Sequence, residues 1–180
     1  MNSLSPLRLD VRRLAAAQER QSGEWPAQLL PRWQGSAHAD AAAEGAGPVR
    51  WAFELGTQLD ATGRERPWMR LDLDAHTPLE CQRCLHLMRW PVQVRQQYRF
   101  VGTEAQALEE DADSDDEVLA LEQPLDFPAL VEDELLMALP MVPMHDTCPE
   151  SIQTQYESPH FEDKPRPFAA LARLKEKGAD

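Results

Sequence analysis

Three stretches in which apolar and polar residues alternate limit the fold of this chain more than any other feature. Apolar side chains fall on every second position in 67–75, in 49–59 with Thr57 as the exception, and in 90–100 with Gln96 as the exception. Side chains of a strand point alternately to the two faces of a sheet, so each stretch predicts a strand with one buried and one wet face. The connections 60–66 and 76–86 are short, which favours an antiparallel meander.

Helical patterns flank these strands. Apolar residues recur at helical spacing over 6–20, and a second stripe runs over 126–139, where Asp126 is a candidate N-cap and Pro140 a stop. The stripe contains Phe127, Leu130, Val131, Leu135 and Ala138. A short amphipathic helix is predicted after Pro167. We therefore predict one α+β domain over 1–180, in which an antiparallel β-sheet meander packs against a few helices.

Charge is distributed unevenly along the 180 residues, which carry a net charge of -13. Residues 1–100 hold 13 Arg and 11 acids, whereas 101–180 hold 5 Lys+Arg and 20 acids. The total argues against nucleic-acid binding, but the basic first half leaves room for it. Residues 104–117 contain eight acids and no base, which predicts a mobile acidic loop or, alternatively, a segment that attracts a basic partner.

The first residues, the apolar runs and the number of cysteines indicate the cellular compartment. The first residues lack an apolar run of signal-peptide length, and no stretch approaches the roughly 20 apolar residues of a membrane span. Three cysteines, an odd number, favour reduced thiols over a disulfide framework. We expect a cytoplasmic protein with no membrane contact.

The motif "LECQRCLHLM" places Cys81 and Cys84 at the tip between the second and third strands. A redox pair is one interpretation, but such thiols usually precede a helix, and here Pro91 and a strand follow. Metal binding is a second interpretation, because a C-x2-C turn supplies half of a tetrahedral zinc site. Reduced thiols at a plain turn are the third.

One distant segment offers the other half of a zinc site. His145 and Cys148 have the same spacing in "MHDTCPE", so Cys81, Cys84, His145 and Cys148 would form a Cys3His set for Zn2+, a small zinc knuckle with no open position for substrate. His145 and Cys148 are equally compatible with ordinary loop residues. The chain has no G-x-G-x-x-G, P-loop, G-x-S-x-G or H-E-x-x-H motif, so nothing points to an enzyme or to a small-molecule substrate.

Arginines line one face of the third predicted strand. Arg89, Arg95 and Arg99 share odd numbers, opposite in parity to the apolar residues, and Arg83 lies in the preceding turn. Such a row suits phosphates and makes these four residues candidate RNA contacts. Cross-strand pairing with Asp72 and Asp74 is the alternative interpretation.

Three blocks together resemble the YceD family, named for large ribosomal RNA subunit accumulation: "LECQRCLHLM", "LVEDELLMALPMVPMHD" and "KPRPFAALARLK". Their order and spacing extend the resemblance over nearly the whole chain. It implies a non-enzymatic accessory factor for large-subunit ribosome biogenesis that binds precursor ribosomal RNA or a large-subunit ribosomal protein. The alternative is an acidic adaptor for a basic ribosomal protein without RNA contact. Many relatives carry a second Cys-x2-Cys where this chain has His145 and Cys148.

Overall fold

The computed structural model describes residues 8–41, 45–60, 63–112, 114 and 116–150. The chain divides into two units, Met1–Thr147 and Cys148–Asp180, and of the second unit the described part is 148–150. No helix in the described ranges is long and apolar enough to cross a membrane. The short helix predicted after Pro167 lies outside the described residues.

The elements, in chain order, are seven strands and four helices in the described ranges, together with two short 3-10 turns. They are β1 Arg8–Leu9, α1 Val11–Ala16, β2 Arg20–Trp25, α2 Pro31–Gln34, β3 Val49–Leu59, β4 Glu65–Glu80, β5 Leu87–Val101, α3 Glu104–Asp111, β6 Glu117–Ala120, β7 Leu125–Asp126 and α4 Phe127–Met137. The 3-10 turns cover Ala27–Leu29 and Ala39–Ala41.

The main sheet has the order β2-β3-β4-β5-β6. Strands β2 to β5 are antiparallel neighbours, which confirms the predicted meander. Strand β6 instead runs parallel to β5, and α3 makes the crossover that a parallel pair requires. A separate two-stranded pair joins β1 to β7. The fold is thus α+β, with a sheet that is mixed at one edge.

Strands β4 and β5 extend well beyond the rest of the sheet. The alternation predicts 67–75 and 90–100, whereas the strands span Glu65–Glu80 and Leu87–Val101. Strand β3 pairs with β4 only as far as Asp74. The hairpin therefore projects past β3 and carries the cysteine turn at its far end.

The core lies on one face of the sheet, where α4 covers it. Phe127, Val131 and Leu135 are fully buried, as predicted, and Asp126 caps the helix by accepting a hydrogen bond from the Ala129 N–H at 3.2 Å. Phe127 makes edge-to-face contacts with three aromatic rings of β2 and β3, namely Trp25, Trp51 and Phe53. Leu130 is only half-buried, at the margin of the core, and Ala138, the C-cap residue that follows α4, is exposed.

Two local predictions are wrong. The helix expected over 6–20 covers only Val11–Ala16, because the backbone turns to a positive φ of 52° at Gln18 and continues as β2. The acidic segment 104–117, expected to be a loop, begins with helix α3, since Thr103 caps Glu104–Asp111 through a bond from the Gln106 N–H at 3.4 Å.

Helix α4 also carries two buried acids that the sequence patterns do not reveal. Glu132 accepts hydrogen bonds from the N–H groups of Arg32 at 2.7 Å and Trp33 at 3.2 Å, and so caps the first turn of α2. Glu134 accepts one from the Tyr98 hydroxyl at 2.6 Å. Burial raises the pKa of Tyr98, and the bond to Glu134 raises it further. These contacts fix α4 to both α2 and β5.

Candidate metal centre

The β4–β5 hairpin closes through a tight turn that holds the cysteine pair. The Cys81 N–H donates to the His86 carbonyl at 3.0 Å, and the Leu85 N–H donates to the Cys81 carbonyl at 2.8 Å. Leu85 has a left-handed backbone with φ of 60°, a conformation that costs a non-glycine residue about 1–2 kcal/mol. The turn aims Cys81 inward, where it is fully buried, while Cys84 is half-buried.

The segment after α4 lies against this turn. The Gln82 N–H donates to the Pro143 carbonyl at 2.8 Å, and the Arg83 guanidinium donates to the His145 carbonyl. The His145 N–H points at the Cys81 Sγ at 3.4 Å, and the His145 Nδ1 lies 3.4 Å from the Cys84 Sγ. Arg83 is exposed, and its guanidinium is engaged by a backbone carbonyl.

Four potential ligands meet here. One ligand atom from each of Cys81, Cys84, His145 and Cys148 lies within 4.8 Å of all the others. Ligands at the usual zinc bond lengths of 2.0–2.3 Å sit about 3.3–3.8 Å apart in a tetrahedron, close to the 3.4 Å between Cys84 Sγ and His145 Nδ1. The cluster can hold a metal ion, and its donor set of three sulfurs and one imidazole suits zinc.

The electrostatics of the turn favour a thiolate at Cys81. Burial raises the pKa of the Cys81 thiol, but backbone N–H groups of His145, Cys84 and Arg83 point at the sulfur and together lower its pKa from 9.0 to about 5. Cys81 is then ionised at neutral pH, the state in which a thiol ligates a metal. Because Cys81 is fully buried, its thiolate can act as a ligand in the cluster but cannot easily react with the disulfide of another molecule.

The four predicted RNA contacts do not form one uniform row. Arg89 and Arg95 lie on the exposed face of β5, whereas Arg99 is half-buried, with its Nε 3.5 Å from Asp116 and a hydrogen bond to Ser114. Arg95 donates to Asp72 at 2.7 Å through Nε, and Arg89 contacts the His76 Nδ1 at 3.0 Å.

The alternative interpretation pairs the arginines of β5 with Asp72 and Asp74 across the strands, and this pairing is present for Asp72. Asp72 lies directly opposite Arg95 in the β4–β5 register. Asp74 instead bonds Arg50 of β3 at 2.7 Å and Gln93 at 3.2 Å. The hydrogen bond from Arg50 lowers the pKa of Asp74.

Comparison with known proteins places the chain. The sequence profile described as large ribosomal RNA subunit accumulation protein YceD matches residues 69–175, more than half of the chain. A protein of the same description from Haemophilus influenzae is 34% identical over an alignment of 122 residues that covers 61% of this chain. The chain spans 63% of that protein's length. No solved structure matches. The matched region includes β4 from Met69 onward, all of β5, the cysteine turn, α4 and all four clustered ligands, and the chain belongs to the YceD family.

Proposed function

We propose that this protein is a non-enzymatic accessory factor that supports accumulation of large-subunit ribosomal RNA by binding, in the cytoplasm, to precursor RNA or to a large-subunit ribosomal protein. Membership of the YceD family carries the proposal. It assigns no catalytic residue and no small-molecule substrate. We treat 1–180 as one YceD-like domain, whose acidic segment 104–117 begins with α3.

We further propose that Cys81, Cys84, His145 and Cys148 hold one structural Zn2+. The support is the donor set and the ligand-atom separations, all within 4.8 Å, together with the lowered pKa of Cys81. A four-ligand site leaves no open position for a reacting group, so the metal would stabilise the hairpin tip against the segment after α4.

RNA contact through Arg83, Arg89, Arg95 and Arg99 remains part of the proposal, with Arg89 and Arg95 its strongest members. Both lie on the exposed face of β5, and the Arg95 side chain is 82% exposed. Residues 81–103 contain four arginines and no acid, so β5 itself adds no negative charge that would repel a phosphate.

A second function, an adaptor for a basic ribosomal protein without RNA contact, rests on a separate observation. The arginines of β5 are partly compensated by Asp72 and Asp116, and residues 101–180 carry 20 acids against 5 bases. A basic protein would then meet the acidic half of the chain, beginning with α3.

The two functions differ in their response to one double substitution. Replacing Arg89 and Arg95 with Gln should weaken binding to a large-subunit RNA fragment and flatten its dependence on salt by about 1.4 in log–log slope, since each single-strand phosphate contact counts for about 0.7. The control replaces two exposed arginines of α1, Arg12 and Arg13, with Gln. Equal RNA binding by wild type and both variants, or no RNA binding by wild type, would favour the adaptor.

In cells, the proposal is tested by deleting the gene and measuring the ratio of large-subunit to small-subunit ribosomal RNA. We expect the ratio to fall and to recover when the wild-type protein is restored. Co-purification from the same cells identifies the RNA or the ribosomal protein bound. An unchanged ratio, with neither RNA nor a ribosomal protein in the purified complex, would contradict the proposed role.

A further inference from the structure

The outer edge of β5 is open along most of its length in the described part of the chain. Strand β4 pairs with one side of β5 from Leu87 to Arg99. On the other side, β6 pairs only with Tyr98–Val101. From Leu87 to Gln97, no described strand lies beside this edge.

The register shows which backbone groups face outward. The Cys81 N–H donates to the His86 carbonyl at 3.0 Å, so this opposed pair is a hydrogen-bonded one, and the pairing continues without a bulge along the strands. Bonding alternates along an antiparallel pair. Even-numbered residues of β5 therefore bond to β4, and odd-numbered residues turn their N–H and C=O groups to the outer edge.

Two independent observations agree with this assignment. On the outer side, the Val101 carbonyl accepts from the Leu121 N–H at 2.9 Å. Pro91, which has no N–H, falls on an outward position, where a proline costs β5 no bond to β4. Beyond Pro91, the outward groups before β6 are the N–H groups of Gln93, Arg95 and Gln97 and the carbonyls of Pro91, Gln93 and Arg95. The Gln97 carbonyl is the one that meets β6, because the parallel pairing of Tyr98 with Glu117 uses it.

The side chains beside this edge define the chemistry of a matching segment. On the wet face, Arg89 and Arg95 lie in an acid-free run, residues 81–103, and Arg95 uses its Nε for Asp72 while its side chain stays 82% exposed. On the core face, Trp90 and Val94 are only half-buried, at the margin of the hydrophobic core. A strand placed along this edge would set alternate residues beside Arg95 and the glutamines on one face, with Arg89 at its end, and beside apolar surface on the other.

We propose that the β5 edge, defined as Pro91–Gln97, binds an extended segment of a partner protein in which acidic and apolar residues alternate, as an added strand in line with β6. Strand addition at an open edge uses donors and acceptors alternately. Phosphate oxygens accept hydrogen bonds but cannot donate to the carbonyls, whereas a peptide backbone does both, so the edge fits a peptide better than a phosphate backbone. The inference does not depend on the metal or on RNA contact.

Amide hydrogen exchange of the full-length protein tests the proposal, with a synthetic octapeptide of alternating Glu and Val as the probe. In the free chain, Val92 and Val94 amides bond to β4 and should be protected, whereas Gln93 and Arg95 amides should exchange at about unprotected rates. The peptide should slow exchange at Gln93 and Arg95 by about tenfold or more. A Lys–Val octapeptide and a Glu–Val peptide with alternate backbone N-methyl groups serve as controls and should have little effect.

A matched pair of variants separates backbone from side chain. Gln93→Pro removes one outward N–H at a position that β4 does not use, and should abolish the effect of the peptide while leaving Val92 and Val94 protected. Gln93→Ala keeps the N–H and should respond as wild type does. If Gln93→Pro does not fold, the exchange pattern of the wild type and the control with the N-methylated peptide decide the question.

Three results would overturn the proposal. The first is protection of Gln93 and Arg95 amides in the free chain, which would mean that the edge is covered by the chain itself or, if the protection rises with concentration, by a second copy. The second is exchange that the Glu–Val peptide leaves unchanged, or slows no more than the controls do. The third is protection of these amides by an RNA oligonucleotide without any effect of the peptide.

Discussion

Replacing Glu132 with Ala should destabilise the fold far more than replacing its neighbour Asp133, although both carboxylates contact Arg32. The Glu132 side chain is 8% exposed and accepts from the N–H groups of Arg32 and Trp33 at 2.7 and 3.2 Å. Asp133 is 54% exposed, and within the described ranges its bond is to the Arg32 guanidinium, at 2.6 Å. The comparison therefore isolates a buried helix cap from an exposed ion pair.

The magnitude follows from what each substitution leaves behind. Loss of a capping acceptor costs about 0.5–2 kcal/mol, and Trp33 is fully buried, so its orphaned N–H adds about 1–3 kcal/mol. We expect Glu132→Ala to lower the free energy of unfolding by about 2–4 kcal/mol. Asp133→Ala should cost less than about 1 kcal/mol, as exposed ion pairs do.

Urea unfolding followed by tryptophan fluorescence measures both variants. With m of about 2 kcal/mol/M, a loss of 3 kcal/mol moves the midpoint by about 1.5 M. Glu132→Gln, which keeps one acceptor oxygen, should fall between wild type and Glu132→Ala. Equal midpoints for Glu132→Ala and Asp133→Ala would refute the argument, because the contact between α4 and α2 would then not depend on the buried cap.

Two further predictions concern the core and the pH dependence. Leu135→Ala should cost about 2–4 kcal/mol of unfolding free energy because the side chain is fully buried. Met137→Ala on the same helix, where the side chain is 79% exposed, should cost less than about 0.5 kcal/mol. Similar unfolding midpoints for the two variants would show that α4 does not pack as described. Burial, with Glu134 and Asp111 nearby, raises the pKa of Glu117. Its charged form therefore destabilises the fold above the folded-state pKa, and this penalty is lost as pH falls from the folded-state pKa toward the unfolded-state pKa. Glu117→Gln should therefore raise the melting temperature at pH 7 and lose that advantage toward pH 4; a gain that is the same at both pH values would argue against this cause.

Residue alternation predicted the central strands well because each has one buried and one wet face. Strand β3 coincides with the predicted 49–59. Strand β2 was not predicted, because only Trp25 of its six residues is buried. Its Gly23 has a role visible only in three dimensions: a Cβ there would lie 2.7 Å from the Trp51 ring. Such a requirement comes from the neighbouring strand and leaves no pattern in β2 itself.

The site shows the same division between local and distant information. Matching C-x2-C and H-x2-C spacing predicted which four residues meet, because ligand spacing reflects the geometry of one turn. The backbone contact of Arg83 with His145 and the bond of Arg99 to Ser114 depend on segments far along the chain. The parallel pairing of β6 depends likewise on the unpredicted helix α3. Parity alone places a side chain on a face and does not reveal its partner.

Metal content of the purified full-length protein tests the central claim most directly. We predict about one zinc per chain, bound by three sulfurs and one nitrogen in X-ray absorption, and lost together with much of the stability in Cys81→Ser. The control, Arg12→Gln, lies away from the turn and should retain the metal. A sub-stoichiometric trace of zinc in wild type, with Cys81→Ser as stable as wild type, would contradict the claim that Cys81, Cys84, His145 and Cys148 form a zinc centre.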